Sequence, residues 1–151
     1  MENRAAALAR NLTKHDPTSG EDIVMRLASL LRHGKQCSEA EPLFREALAS
    51  ARIFARDSPG RLEDRIAGLA ACLKEQNKQI EAEELYREAL ASARKFATND
   101  LPRLEKRLNE MADLLQYEGK LAEAETLYLE TLELKKKRVG SDARDVGLLF
   151  R

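Results

Sequence analysis

One stretch of this chain occurs three times. Residues 80–94 read IEAEELYREALASAR. Residues 38–52, set 42 positions earlier, read SEAEPLFREALASAR and agree at 12 of 15 places. Residues 122–136, set 42 positions later, read AEAETLYLETLELKK and agree at 7 of 15. Ala40, Ala82 and Ala124 fall on one register, so the spacing holds twice without slippage. A fixed period of this size is produced by stacked copies of one supersecondary unit. Each copy buries, against its neighbours, a face it cannot bury alone. The repeat therefore predicts a solenoid.

The apolar spacing says what the unit is made of. Val24, Leu27, Ala28 and Leu31 recur at i, i+3, i+4 and i+7, one face of a helix. Gly34 is expected to end that helix, and Ser38 to cap a second one with Pro42 in its first turn. The second stripe is Ala40, Leu43, Phe44, Ala47, Leu48, Ala51 and Phe54. The pair then recurs as Ile66, Leu69, Ala70 and Leu73, followed by Ala82, Leu85, Tyr86, Ala89, Leu90, Ala93 and Phe96. A third copy carries Leu108, Met111, Ala112 and Leu115, then Ala124, Leu127, Tyr128 and Leu132. There Lys135 and Arg138 stand where Ala51 and Phe54 stood, so the apolar face is shorter.

Breakers separate the pieces: HDPTSG at residues 15–20, DSPG at 57–60, and Leu101 with Pro102. Residues 2–14 carry Ala5, Leu8, Ala9 and Leu12 and read as the tail of a second helix without its partner. The expected organisation is one domain over residues 1–151. It has a half-unit helix at 1–14, repeats at 19–56, 61–98 and 103–139, and a fourth repeat or C-terminal cap opening at 140–151. Val146 and Phe150, i and i+4, are expected to dock on the third pair.

Composition narrows function. The 26 basic and 26 acidic side chains cancel, which removes the electrostatic case for nucleic acid or an anionic membrane as partner. Cys37 and Cys72 are the only cysteines and have no metal-ligand spacing. They read as reduced, half-buried hydrophobes, which points to an intracellular, cytoplasmic setting. No apolar run reaches the roughly 20 residues a membrane span needs, and the N-terminal apolar run is too short for a signal peptide.

Small and aromatic residues at fixed places carry a resemblance. Ala28, Ala70 and Ala112 hold a small position in the first helix, and Ala40, Ala82 and Ala124 open the second. Phe44, Tyr86 and Tyr128 supply an aromatic, and Ala47 and Ala89 a further small residue. Helices approach closely only where side chains are small, and the aromatic fills the wedge between pairs. The pattern resembles the tetratricopeptide (TPR) repeat. Its 42-residue period is similar to that of kinesin light chains and related bacterial arrays. Residues 140–146, GSDARDV, resemble that subfamily's G-x-D-x-P-D-V junction, with Arg144 in the proline place. Leu108, Asn109, Met111 and Ala112 resemble its L-N-x-L-A run. Thr131 departs from the last small position, and Gln79 from an apolar one. The resemblance implies an all-α, right-handed α-solenoid of antiparallel helix pairs, a TPR-like superhelix.

No phosphate loop, nucleophile elbow, zinc-helix motif or Cys–His pairing is present, so no catalytic residue, cofactor or metal site is assigned and the chain reads as a non-enzyme. His15 reads as a loop residue. The run KKKR at 135–138 reads as a solvated helix end, where the helix dipole favours cations. The resemblance implies a protein-interaction scaffold that takes a partner's peptide or helix in a concave groove lined by first helices. Under that register the face carries Asp22, Met25, Ser29, Arg32 and His33, then Asp64, Ala67, Ala71, Lys74 and Glu75. The third copy adds Lys106, Asn109, Asp113, Gln116 and Tyr117. Met25 and Ser29 stand where a carboxylate-clamp subtype carries Lys and Asn, which disfavours C-terminal carboxylates as ligands. Arg32, Lys74, Asn109 and Tyr117 are expected to carry affinity for a partly acidic segment. The alternative is a structural module whose exposed array ends associate into a homo-oligomer.

Overall fold

The computed structural model describes residues 4–54, 57–97 and 99–147. Among the described residues it is all helix: α1 (Arg4–His15), α2 (Pro17–His33), α3 (Cys37–Phe54), α4 (Pro59–Glu75), α5 (Gln79–Phe96), α6 (Leu101–Tyr117) and α7 (Leu121–Gly147). The chain forms two compact units, Met1–Ala89 and Leu90–Arg151, with the division falling inside α5.

The helices start earlier than their breakers suggest. In each first helix a proline sits in the opening turn, where its missing N–H costs nothing. The expected loop at 15–20 shrinks to Asp16, whose carboxylate accepts from the Ser19 N–H at 3.2 Å. Asp100 does the same for the Arg103 N–H at 3.2 Å, so Leu101 and Pro102 begin α6 instead of interrupting the chain. Ser38 lies inside α3 and not at its cap; the Gln36 carbonyl accepts the N–H groups of Glu39 and Ala40.

The stops also share one geometry. Gly34 caps α2 at φ −77°, and the left-handed residue is its successor, Lys35, at φ 62°. Asn77 at φ 62° and Gly119 at φ 80° occupy the same register after α4 and α6. Each turn is closed by an N–H reaching five residues back: Gln36 to Leu31, Lys78 to Leu73, and Lys120 to Leu115. This is the Schellman arrangement, which satisfies carbonyls the helix end would leave open.

In the first unit α2 packs on α3, α3 on α4, and α1 against both α2 and α3. Ala28, Ala40, Ala70 and Ala82 are completely covered, as close helix approach requires. Phe44 and Ile66 are buried with Leu43, Leu69 and Leu73. Ion pairs tie successive second helices 36 residues apart: Arg10 to Glu46, Arg45 to Glu81, and Arg52 to Glu88. In the second unit α6 packs on α7 around Leu108, Met111, Ala112, Leu115 and Ala124. Arg94 meets Glu130 at the same 36-residue interval.

Several stripe residues are less covered than their periodicity predicts. Leu8, Leu12 and Leu27 in the first unit, and Phe96 and Leu132 in the second, are exposed. Among the described side chains of α1, Ala9 and Thr13 alone are buried, because helix periodicity marks a face without saying whether an element lies over it. The second unit differs at its end too. α7 runs unbroken through Gly140 to Gly147, where the sequence predicts a new first helix. Phe150 lies outside the described residues.

Candidate functional site

The residues expected to line a groove fall into both units. Met25, Arg32, His33, Ala67, Ala71 and Lys74 belong to the first; Asn109, Asp113 and Tyr117 belong to the second. In the first unit Arg32 and His33 end α2, and Lys74 and Glu75 end α4. Arg32 Nη1 donates to Glu75 Oε1 at 2.9 Å, while its Nε is buried without a partner among the described residues. His33 Nδ1 donates to the Ser29 carbonyl at 2.7 Å, one turn back, which fixes the ring against its own helix. Ala67 is buried, Met25, Ala71 and Lys74 are half-buried, and Met25 lies beneath Gly68.

Arg32 and His33 belong to a cleft of about 620 Å³ at the turn end of α2, completed by Lys35, Cys37, Ser38, Glu75 and Gln76. Glu75 is shared, because its other oxygen accepts from Cys37 Sγ at 2.8 Å. Cys72 Sγ in turn donates to the Cys37 carbonyl at 3.1 Å. Burial first, and then the bond to Glu75, pushes the Cys37 thiol up to about 12. Burial opposes ionisation of Glu41 nearby, but hydrogen bonds from Arg45, Gln76 and Lys78 outweigh it and hold that carboxyl below its ordinary range. Lys35, Cys37 and Gln76 were not expected at a site. The only sequence signal for them is their position at the stops and starts of consecutive helices.

In the second unit Asp113 is engaged. It accepts from the Tyr128 hydroxyl at 2.5 Å, with Gln116 Oε1 3.2 Å from the same oxygen. That bond to Asp113 pushes the Tyr128 phenol up to about 12. Asn109 is half-buried on α6 and Tyr117 is largely exposed at its end. Beside them a shallow cleft of about 280 Å³ is bounded by Leu121, Ala124, Tyr128, Leu129 and Leu132 with Gln116 and Glu125. Among the described residues no cluster of three His, Cys, Asp or Glu side chains is arranged to hold a metal. None of the described helices is long and apolar enough to cross a membrane.

Paired helices with covered alanines, an aromatic wedge and a 42-residue step define a helical-repeat protein. The family model described as Tetratricopeptide repeat matches residues 24–59 and 106–144, and the chain is a tetratricopeptide-repeat protein. Among solved structures it is similar to the TPR domain of Arabidopsis FLU, with 19% identity and a TM-score of 0.66, over 78% of this chain and 95% of that one. It is also similar to BtubC (BKLC) from P. vanneervenii, with 26% identity and a TM-score of 0.70. That match covers 97% of this chain and 62% of the other. No curated protein matches the sequence.

Proposed function

We propose that this protein is a non-catalytic, cytoplasmic scaffold that binds a partly acidic segment of a partner protein along its first helices. Helical-repeat arrays of this family offer extended surfaces for protein partners. The observation that carries the reading is the face of α4. Ala70 and Cys72 are wholly covered, whereas Ala71 between them is only half-buried and is followed by Lys74. A floor of side chains that short lets a partner backbone come close, with Lys74 as donor. Tyr117 and Asn109 offer an aromatic and an amide on α6, residue types suited to a polar interface. The free, buried thiols of Cys37 and Cys72 support a reducing compartment. Arg32 contributes less than its charge suggests, since Glu75 already holds it.

The test is selection of peptides from a random display library on the wild-type chain. Selected sequences should be enriched in Asp and Glu, and should lose binding to a chain carrying Lys74→Ala, Asn109→Ala and Tyr117→Ala with an unchanged melt. Peptides that bind both chains equally would place the site elsewhere.

A further inference from the structure

The first unit shows how a helix pair of this protein is covered by the helix that follows it. α4 lies along α2 and α3, and its contacts run in order from one end to the other. Arg65 Nε donates to the buried Glu21 Oε1 at 2.6 Å, and Arg61 Nε approaches the same oxygen at 3.4 Å. Gly68 faces Phe44, Cys72 reaches the Cys37 carbonyl, and Gln76 donates to Glu41. Beneath this helix Cys37 is 8% exposed and Leu48 is 6% exposed.

The same positions recur 84 residues on, in the second unit, and there two of the apolar ones are open. Leu121 stands at the Cys37 position and Leu132 at that of Leu48, exposed by 65% and 61%. Tyr128 replaces Phe44, and Glu105 replaces Glu21. Glu105 is only 6% exposed, yet its Oε1 is shielded from solvent with no partner among the described residues. Its Oε2 accepts one bond among the described residues, from Arg138 Nη2 at a long 3.3 Å. A shielded carboxylate oxygen without a donor is costly unless a cation or N–H is brought to it.

We propose that this face of α6 and α7 is a docking site for an arginine-bearing amphipathic helix of a separate polypeptide. The arginine completes Glu105 as Arg65 completes Glu21, and the apolar side of the helix covers Leu121, Tyr128 and Leu132. Three residues after the arginine the helix carries Gly or another small residue, because Tyr128 holds the register position of Phe44, whose ring lies beneath Gly68. The surface from Leu121 to Arg138 spans about 27 Å at 1.5 Å per residue, enough for a helix of α4's length. The register of this sequence does not supply that arginine. In this sequence the register positions of Arg61 and Arg65 fall, 84 residues on, at Asp145 and Leu149, which donate nothing to a carboxylate.

The probe is a synthetic helix with the sequence of residues 59–75, stapled between position 64, which is exposed in α4, and position 71, which is half-buried, and titrated against the full chain by fluorescence anisotropy. Saturable one-to-one binding is expected. Glu105→Gln in the protein should weaken it at least tenfold, and Leu132→Lys should abolish it; Leu132 is exposed, so that variant keeps its melt. Arg65→Gln in the peptide should weaken binding to the wild type to the same degree, and should cost nothing further against Glu105→Gln. Absence of saturable binding overturns the proposal, as does binding indifferent to both protein substitutions. A concentration-dependent dimer that Leu132→Lys dissociates also overturns it, because a second copy would then fill the face.

Discussion

Gly68 of α4 lies against the edge of the Phe44 ring on α3: a Cβ at that position would stand 2.8 Å from Cε1 and 3.1 Å from Cδ1. Phe44 is almost wholly buried, so its ring has little room to retreat. Gly68→Ala gains about 1 kcal/mol from helix propensity. Over-packing of this kind costs roughly 1–3 kcal/mol and should win. Urea melts are expected to show a net loss of stability, recovered in part when Phe44→Leu is added. Stabilisation of the single variant by the full propensity increment would show that the ring does not sit there.

Much of this architecture was legible because a period acts on every residue at once. The covered alanines at 28, 40, 70, 82 and 112, and the aromatic at 44, follow from one register. The helix starts were legible to within a few residues, but Asp16 and Asp100 act as caps where the prolines suggested loops. The candidate site was less so. Arg32, Lys74 and Asn109 read as donors for a partner, yet Arg32 is held by Glu75, a residue 43 positions away whose approach depends on how two turns align. Asp113 is likewise taken by Tyr128. Periodicity states which residues share a face; which polar pairs close within it is decided by side-chain reach. The exposure of Leu132 was hidden for the same reason, since its stripe matches that of covered Leu48.

Lys35 and Asn77 hold a left-handed backbone that Gly119 holds at the same register without penalty. The left-handed conformation costs a residue with a side chain roughly 1–2 kcal/mol. Lys35→Gly should therefore raise stability, by about 1 kcal/mol once the greater chain entropy of glycine is subtracted. Gly119→Ala should lower it by a similar amount. Thermal melts of the two variants moving in the same direction would contradict the shared turn geometry.

The two thiols should be inert at neutral pH. Burial is the main cause in both: it raises the Cys72 pKa and, with the bond to Glu75, takes Cys37 to about 12. The fold thus favours the protonated thiols. The stability they contribute is whole below their ordinary value of 9.0 and, for Cys37, is lost as pH rises through about 12. At pH 8 an aromatic disulfide reagent should label neither cysteine in the native chain and both in 6 M guanidinium, roughly the strength that unfolds even very stable domains. Rapid native labelling would show that Glu75 and the surrounding helices do not shield Cys37.

Glu21 and Glu88 both meet arginines, and the difference in their settings should appear as a difference in stability. The Glu21 side chain is 2% exposed and faces Arg65, itself 12% exposed, with Arg61 beyond. Removing the carboxylate leaves a desolvated guanidinium, which costs on the order of 3–5 kcal/mol when no other anion is near. Here Asp22 still accepts from Arg65 Nη2 at 2.9 Å, so Glu21→Ala should fall at about 3 kcal/mol, the lower end of that range. Glu88 pairs with Arg52 at 3.2 Å, but the two side chains are 45% and 50% exposed. Water and salt screen such a pair, and Glu88→Ala should cost less than about 1 kcal/mol. The added effect of 1 M sodium chloride should be slight for both variants, because the buried pair is shielded and the exposed one is weak to begin with. Equal denaturant midpoints for Glu21→Ala and Glu88→Ala would mean that Glu21 is not the shielded anchor of α4. The clamp inferred for Glu105 would then lose its template.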